Sequence, residues 1–63
     1  MSTDKIEKIS SIIIETINDG YRMQGIVNNL SEEEVNKIIQ DNAPGLTMVA
    51  EEMSRKIIKE LYG

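Results

Sequence analysis

Isoleucine recurs along the first part of the chain at the spacing of one face of an α-helix. The pattern is carried by Ile6, Ile9, Ile13 and Ile17. At ~100° of rotation per helical residue, these four positions fall within a band about 80° wide. The spacing therefore predicts a helix over residues 4–19, with Gly20 placed to end it in the left-handed conformation.

The same segment has an alternative interpretation as a β-hairpin. Isoleucine favours strands, and Asp19-Gly20 is a strong signal for a two-residue turn, so residues 12–17 could pair with residues 21–27. The helix explains the spacing better, because a strand has a period of two. We expect residues 21–30 to form a short helix or an ordered loop that tucks its apolar side chains into the core.

The clearest local signal for a helix start is at Ser31. Ser31 and Glu34 have the spacing of a capping box, and Leu30 with Val35 has that of a hydrophobic staple. A second helix is therefore predicted over residues 31–42. We expect it to stop there because a proline two residues further on restricts the residue before it.

A last helix is predicted over residues 47–62, with Thr47 as its cap and Gly63 at its end. Its apolar positions spread over ~120° of one face, which we assign to the core. These positions are Val49, Ala50, Met53, Ile57 and Leu61.

The length of the chain limits how much core it can form. Its 63 residues make one domain, residues 1–63, and a domain of this size is marginally stable unless something supplements the core. The chain has no cysteine and no histidine, so neither disulfides nor the usual metal sites are expected. We therefore predict an all-α fold of three helices with a short extra element between the first two, assembled as a homodimeric bundle.

Charge and hydropathy narrow the set of partners. Eleven acidic residues against seven basic ones give a net charge of −4, which disfavours nonspecific attraction to nucleic acid or anionic lipid. The longest apolar runs are three residues, against about 20 for a membrane span. With no secretory signal at the start of the chain, we expect a cytoplasmic protein that does not contact a membrane.

No motif of a reaction, metal or cofactor is found in the sequence. The glycines at 20 and 25 have the spacing of a phosphate loop but lack the lysine and hydroxyl residue that should follow. The segment 41–45 is similar to the start of a calcium loop, but Ala43 and Pro44 stand where ligands are needed. The serines are interpreted as helix-surface or cap residues: Ser10, Ser11, Ser31 and Ser54. We expect no enzymatic activity, no cofactor and no small-molecule substrate.

The sequence contains more isoleucine than one buried stripe needs. Ile12 and Ile14 lie to either side of the first stripe, and Ile58 lies well round from Val49 on the last helix. We predict that these three residues contact a second copy of the chain or another protein, and that Glu32, Glu33 and Glu34 steer it toward a basic partner. The expected function is a regulatory adaptor or inhibitor that occludes a partner surface, of a size that suits a phage or mobile-element protein.

The alternative function is DNA binding. The two predicted helices over 31–42 and 47–62 are joined by a short break, as in a helix-turn-helix motif. Three basic residues share one side of the last helix and would form the nucleic-acid face: Arg55, Lys56 and Lys59. Glu52 lies among them and would repel phosphate, so this interpretation ranks second.

Overall fold

The computed structural model describes residues 3–63 and folds them into a hairpin of two long α-helices. Helix α1 spans Thr3–Val27 and helix α2 spans Glu32–Tyr62, so only residues 28–31 connect them. The side chains of Ser10 and Ser54 meet across the hairpin, and therefore the two helices run antiparallel. The prediction of an all-α fold is confirmed, whereas the prediction of three helices is wrong.

Helix α1 is longer than predicted because Gly20 does not end it. The surroundings of Gly20 are open, with no atom within 4 Å of where its Cβ would lie, and a glycine inside a helix costs only about 1 kcal/mol relative to alanine. Consequently the β-hairpin alternative and the separate short element are both wrong. Residues 21–27 are the last two turns of α1.

Helix α1 ends instead at Asn29, which adopts the left-handed conformation with φ of 59°. The Leu30 N–H donates to the Gly25 carbonyl at 2.8 Å, and the Asn29 N–H donates to the Ile26 carbonyl at 3.3 Å. These two bonds form a Schellman motif. Asparagine is the residue that most readily takes this conformation after glycine.

The start of α2 confirms the predicted capping box. The Glu34 N–H donates to Ser31 Oγ at 3.2 Å, and the Ser31 N–H donates to Glu34 Oε1 at 2.9 Å. Both bonds satisfy N–H groups that have no partner within the helix. The chain therefore leaves one helix and enters the next within four residues.

Helix α2 continues through Pro44, where a break was predicted. Pro44 is exposed, so water can reach the Gln40 carbonyl, which loses its helical hydrogen bond to the missing proline N–H. Thr47 is not a cap, because its Oγ1 donates to the Ala43 carbonyl at 2.9 Å inside the helix. The helix ends with the Gly63 N–H bonded to the Lys59 carbonyl, in agreement with the predicted end.

Candidate interaction surface

Small residues form much of the contact between the two helices. In α1 the buried positions are Ser10 and Gly25, and in α2 they are Val35, Ala50, Ser54 and Ile58. Ser54 Oγ donates to the Ala50 carbonyl at 2.7 Å, and a hydrogen bond of 2.8 Å joins the Ser10 and Ser54 hydroxyls. The predicted surface role of Ser10 and Ser54 is therefore wrong, since both are buried and hydrogen-bonded.

Most of the large apolar residues of α2 near this contact lie beside it rather than in it. Each helical residue is rotated ~100° from the one before it, so the residues before and after a buried position lie on opposite flanks. In α2 the residues directly before Ala50, Ser54 and Ile58 are apolar. They are Val49, Met53 and Ile57. The residues directly after the same three positions are charged. They are Glu51, Arg55 and Lys59.

Helix α1 follows the same rule around Ser10. Ile9, directly before Ser10, and Ile13, three residues after it, both lie on the apolar flank of α1. Ser11 lies on the other flank. Both helices are right-handed and they run in opposite directions, so their apolar flanks lie on the same side of the hairpin. In the half of the hairpin away from the turn, one side is therefore apolar and the other is polar.

We call the apolar side the apolar face and define it by seven residues. They are Ile9, Ile13, Ile38, Val49, Met53, Ile57 and Leu61. Ile9 and Ile13 are half-buried, while Val49 is 53% exposed and Leu61 is 69% exposed. The predicted core face of the last helix is therefore wrong for four of its five residues: only Ala50 is buried within the chain. A sequence signal for this existed in the four-residue spacing of Ala50, Ser54 and Ile58.

The three isoleucines predicted to contact another protein or a second copy differ in how exposed they are. Ile58 is 4% exposed because it packs against α1, so the expectation that it forms an uncovered edge is wrong. Ile14 is half-buried. Ile12 is 64% exposed, but it lies two residues after the buried Ser10 and so on the back of α1. The apolar face, rather than these three residues, is the main uncovered surface.

The apolar side chains of residues 21–27 do not tuck into the core, contrary to the expectation for this segment. Met23, Ile26 and Val27 belong to the end of α1, and Val27 is 80% exposed. They form a second, smaller apolar cluster on the outside of the turn end. The chain therefore leaves both this cluster and the apolar face open.

The acidic residues Glu32, Glu33 and Glu34 are exposed in the first turn of α2. Their carboxylates face the positive end of the helix dipole, which stabilises them there. Hydrogen bonds from the Ser31 backbone N–H and then from the Ser31 hydroxyl lower the pKa of Glu34 below its ordinary value. Glu34 is thus engaged in the cap, and Glu32 and Glu33 are the two carboxylates free to meet a partner.

The residues of the predicted nucleic-acid face lie on one continuous helix. No turn interrupts α2 between residues 43 and 46, so the helix-turn-helix arrangement is wrong. Arg55 pairs with Glu52, with Nη1 and Oε2 3.6 Å apart, which offsets part of the positive charge. Lys56 and Lys59 are exposed.

A shallow open cleft lies where the first turns of α1 meet the end of α2. It has a volume of about 450 Å³ and is lined by Ile6, Arg55, Ile58, Lys59, Tyr62 and Gly63. Lys5 Nζ lies 4.1 Å from the centre of the Tyr62 ring, a cation–π contact that ties the ends together. The cleft is on the polar side of the hairpin, because Arg55 and Lys59 flank it.

Two further findings concern the chemistry that residues 3–63 could support. Within this range, no three acidic side chains come together as ligands for a metal ion. Neither helix, over the same residues, has the length and apolar character needed to cross a bilayer.

Comparison of the chain with protein-family models, curated proteins and solved structures finds no match.

Proposed function

We propose that this chain is a small, acidic, non-enzymatic protein–protein interaction module that works as a homodimer. In this proposal, two hairpins join through their apolar faces into a four-helix bundle. The dimer then acts as a regulatory adaptor or inhibitor by covering a surface of another protein. The observation that carries the proposal is the separation of apolar and polar side chains onto opposite sides of the hairpin.

A single hairpin buries few apolar side chains, and this favours association with a second copy. Only Val35, Ala50 and Ile58 are buried apolar side chains among the described residues, whereas isolated helices depend on tertiary packing for their stability. Burying a side chain of the size of Val, Leu, Ile or Met is worth roughly 1.5–3 kcal/mol. Covering the exposed parts of the apolar face would therefore add stabilisation to what the core of one hairpin provides.

The acidic turn end supplies the proposed contact with another protein. Residues Glu32 and Glu33 would speed the approach of a basic partner, because rim charges mainly raise association rates. Exposed Ile26 of α1 lines the same shallow hollow as Glu32 and would add apolar contact. Replacing both glutamates with glutamine should slow association with a partner recovered from host cells and weaken its dependence on salt.

Sedimentation of matched aspartate variants tests the dimer. The wild-type chain should sediment at twice its mass of 7.1 kDa at micromolar concentration, and Val49→Asp and Ile57→Asp should both sediment as monomers. Ile12→Asp is the matched control, because Ile12 is exposed on the back of α1, and it should remain dimeric. A monomeric wild type, or variants that keep the wild-type mass, would contradict the proposal.

DNA binding through Arg55, Lys56 and Lys59 is the alternative, and a heparin column separates the two functions. An interaction module of net charge −4 should pass through without retention. Strong retention that weakens steeply with salt would favour the nucleic-acid function.

A further inference from the structure

The contact between the two helices opens into the cleft at the end of α2. Buried residues of α2 recur at every fourth position, at Ala50, Ser54 and Ile58. Tyr62 is the next residue in this series, but its side chain is 66% exposed. Ile58 is therefore the last buried residue of α2, and beyond it the two helices leave the open volume of about 450 Å³ between them.

The floor of this cleft is apolar. It is formed by Ile6 of α1 and by Ile58 and Tyr62 of α2. Ile6 is half-buried and Ile58 is buried, so packing between the helices holds both side chains in place. The volume of the cleft lies within the range of small-molecule sites, roughly 300–1,000 Å³. An apolar group of a ligand placed on this floor would be removed from water, which favours binding.

The rim of the cleft is positively charged. Arg55 and Lys59 line it, and among the lining residues that the structure describes none is acidic. A third cation lies close by, because Lys5 Nζ is 4.1 Å from the centre of the Tyr62 ring. A chain of net charge −4 does not attract anions as a whole. The combination of cations with an apolar floor is therefore a local property of the cleft.

The two cations of the rim are placed to contact one anion together. Arg55 and Lys59 are four residues apart, so they lie on the same side of α2 one turn from each other. Arg55 Nη1 is 3.6 Å from Glu52 Oε2, and both side chains are more than half exposed. An exposed pair of this kind contributes little, so the guanidinium can turn from Glu52 to a ligand. Lys59 is exposed as well.

We propose that the cleft binds an amphipathic carboxylate, of the kind represented by a medium-chain fatty acid. The carboxylate lies between the Arg55 guanidinium, which can donate two parallel hydrogen bonds to it, and the Lys59 ammonium. The apolar chain covers Ile6, Ile58 and Tyr62. A singly charged group suits the cleft better than a phosphate, because the whole chain is acidic and the floor requires an apolar body.

This binding site is separate from the proposed homodimer. The cleft lies on the polar side of the hairpin, and none of its lining residues belongs to the apolar face. The anion is proposed as a bound ligand and not as a substrate. A failure of either proposal therefore leaves the other standing.

Titration of the full chain with octanoate, followed by amide NMR spectra, tests the site. Saturable shifts should centre on Ile6, Ile58 and Tyr62, with a dissociation constant on the order of 1 mM for a ligand of so few atoms. Octanol is the matched neutral ligand, because it has the same chain length without the charge. It should bind about fivefold more weakly, which is the effect expected from losing one exposed ion pair.

Three neutralising variants locate the charge that matters. Arg55→Gln and Lys59→Gln should each weaken octanoate binding by about fivefold and leave octanol binding unchanged. Lys56→Gln is the control, because Lys56 lies two residues from buried Ser54 and so on the back of α2. It should bind octanoate as the wild type does. Circular dichroism checks that all three variants keep the helix content of the wild type.

Several results would overturn the proposal. One is the same affinity for octanoate and octanol, and another is an equal effect of Lys56→Gln and Lys59→Gln. Shifts centred on the apolar face, at Val49, Met53 and Ile57, would show that the chain takes up octanoate by hydrophobicity alone. The lack of a saturable shift up to about 10 mM, where a millimolar site is nearly full, would show that the cleft binds no such anion.

Discussion

A hydrogen bond of 2.8 Å joins the Ser10 and Ser54 hydroxyls across the hairpin, and the Ser54 hydroxyl donates to the Ala50 carbonyl. Both serines are buried, and Ser54 and Ala50 have no exposed surface. Buried hydroxyls are tolerated when they are hydrogen-bonded, and their small size lets the helices approach. The large apolar side chains are consequently displaced to one side of the hairpin.

Enlarging Ser54 should separate the helices. Ser54→Leu adds volume where the two helices are in contact, and we expect it to destabilise the fold by roughly 1–3 kcal/mol. Ser11→Leu is the matched control, because Ser11 is exposed on the polar side, and it should change stability little. Urea denaturation of both variants at one protein concentration measures the difference; equal effects would argue against a tight contact at Ser54.

Two glycine-to-alanine substitutions should have opposite effects. A Cβ on Gly25 would overlap the Cγ2 atom of Val35, whose β-branched side chain cannot readily turn away, so Gly25→Ala should destabilise by about 1–3 kcal/mol. Gly45 is exposed with open space around it. Gly45→Ala should stabilise by about 1 kcal/mol. Thermal unfolding followed by circular dichroism gives the sign of each change in stability. A Gly25→Ala variant as stable as the wild type would contradict the close approach of Gly25 to Val35.

Replacement of Pro44 tests whether α2 is continuous. Pro44→Ala restores the N–H that can bond the Gln40 carbonyl, and proline inside a helix costs up to about 3 kcal/mol. We expect a rise in stability of about 1–3 kcal/mol, with no loss of helix content by circular dichroism. A loss of stability would instead indicate that residues 43–46 form a turn between two helices.

The cap of α2 should make stability depend on pH. The folded-state pKa of Glu34 is lowered by its bonds to Ser31, so its contribution is present above the unfolded-state pKa and is lost as the pH falls through the folded-state pKa. Glu34→Gln retains an acceptor for the Ser31 N–H but does not titrate. The free energy of unfolding of the Glu34→Gln variant should therefore depend less on pH than that of the wild type below about pH 4.3. The same dependence of unfolding free energy on pH in both proteins would contradict this role of Glu34.

Local hydrogen-bonding signals in the sequence predicted parts of the fold correctly. The box formed by Ser31 and Glu34 needs only neighbouring atoms, so its geometry could be predicted from residue type and spacing. The helix ends that were predicted near Gly20 and Pro44 are wrong, because packing between the helices outweighs these local signals. Each residue disfavours a helix by a few kcal/mol at most, and the packing of a long helix on its neighbour outweighs that cost.

The choice of contact residues could not be predicted from hydropathy. Val49, Met53 and Ile57 have the appearance of a core face, and the true contact through Ala50 and Ser54 lies about 100° to one side. Hydropathy ranks the larger residues as the better core, whereas close approach of two helices selects the smaller ones. The sequence pattern therefore assigned the apolar face of the last helix to the core, and the three isoleucines that it identified as surplus do not belong to that face.

The most direct test of the central claim is the dependence of thermal unfolding on protein concentration. If covering the apolar face with a second copy stabilises the fold, the unfolding midpoint must rise with concentration, because dimer formation is coupled to folding by mass action. We predict a clear rise between about 1 and 100 µM for the wild type and for Ile12→Asp, and a reduced or absent rise for Ile57→Asp. A cooperative wild-type transition whose midpoint is the same across that range would show that the hairpin is stable alone and would contradict the account.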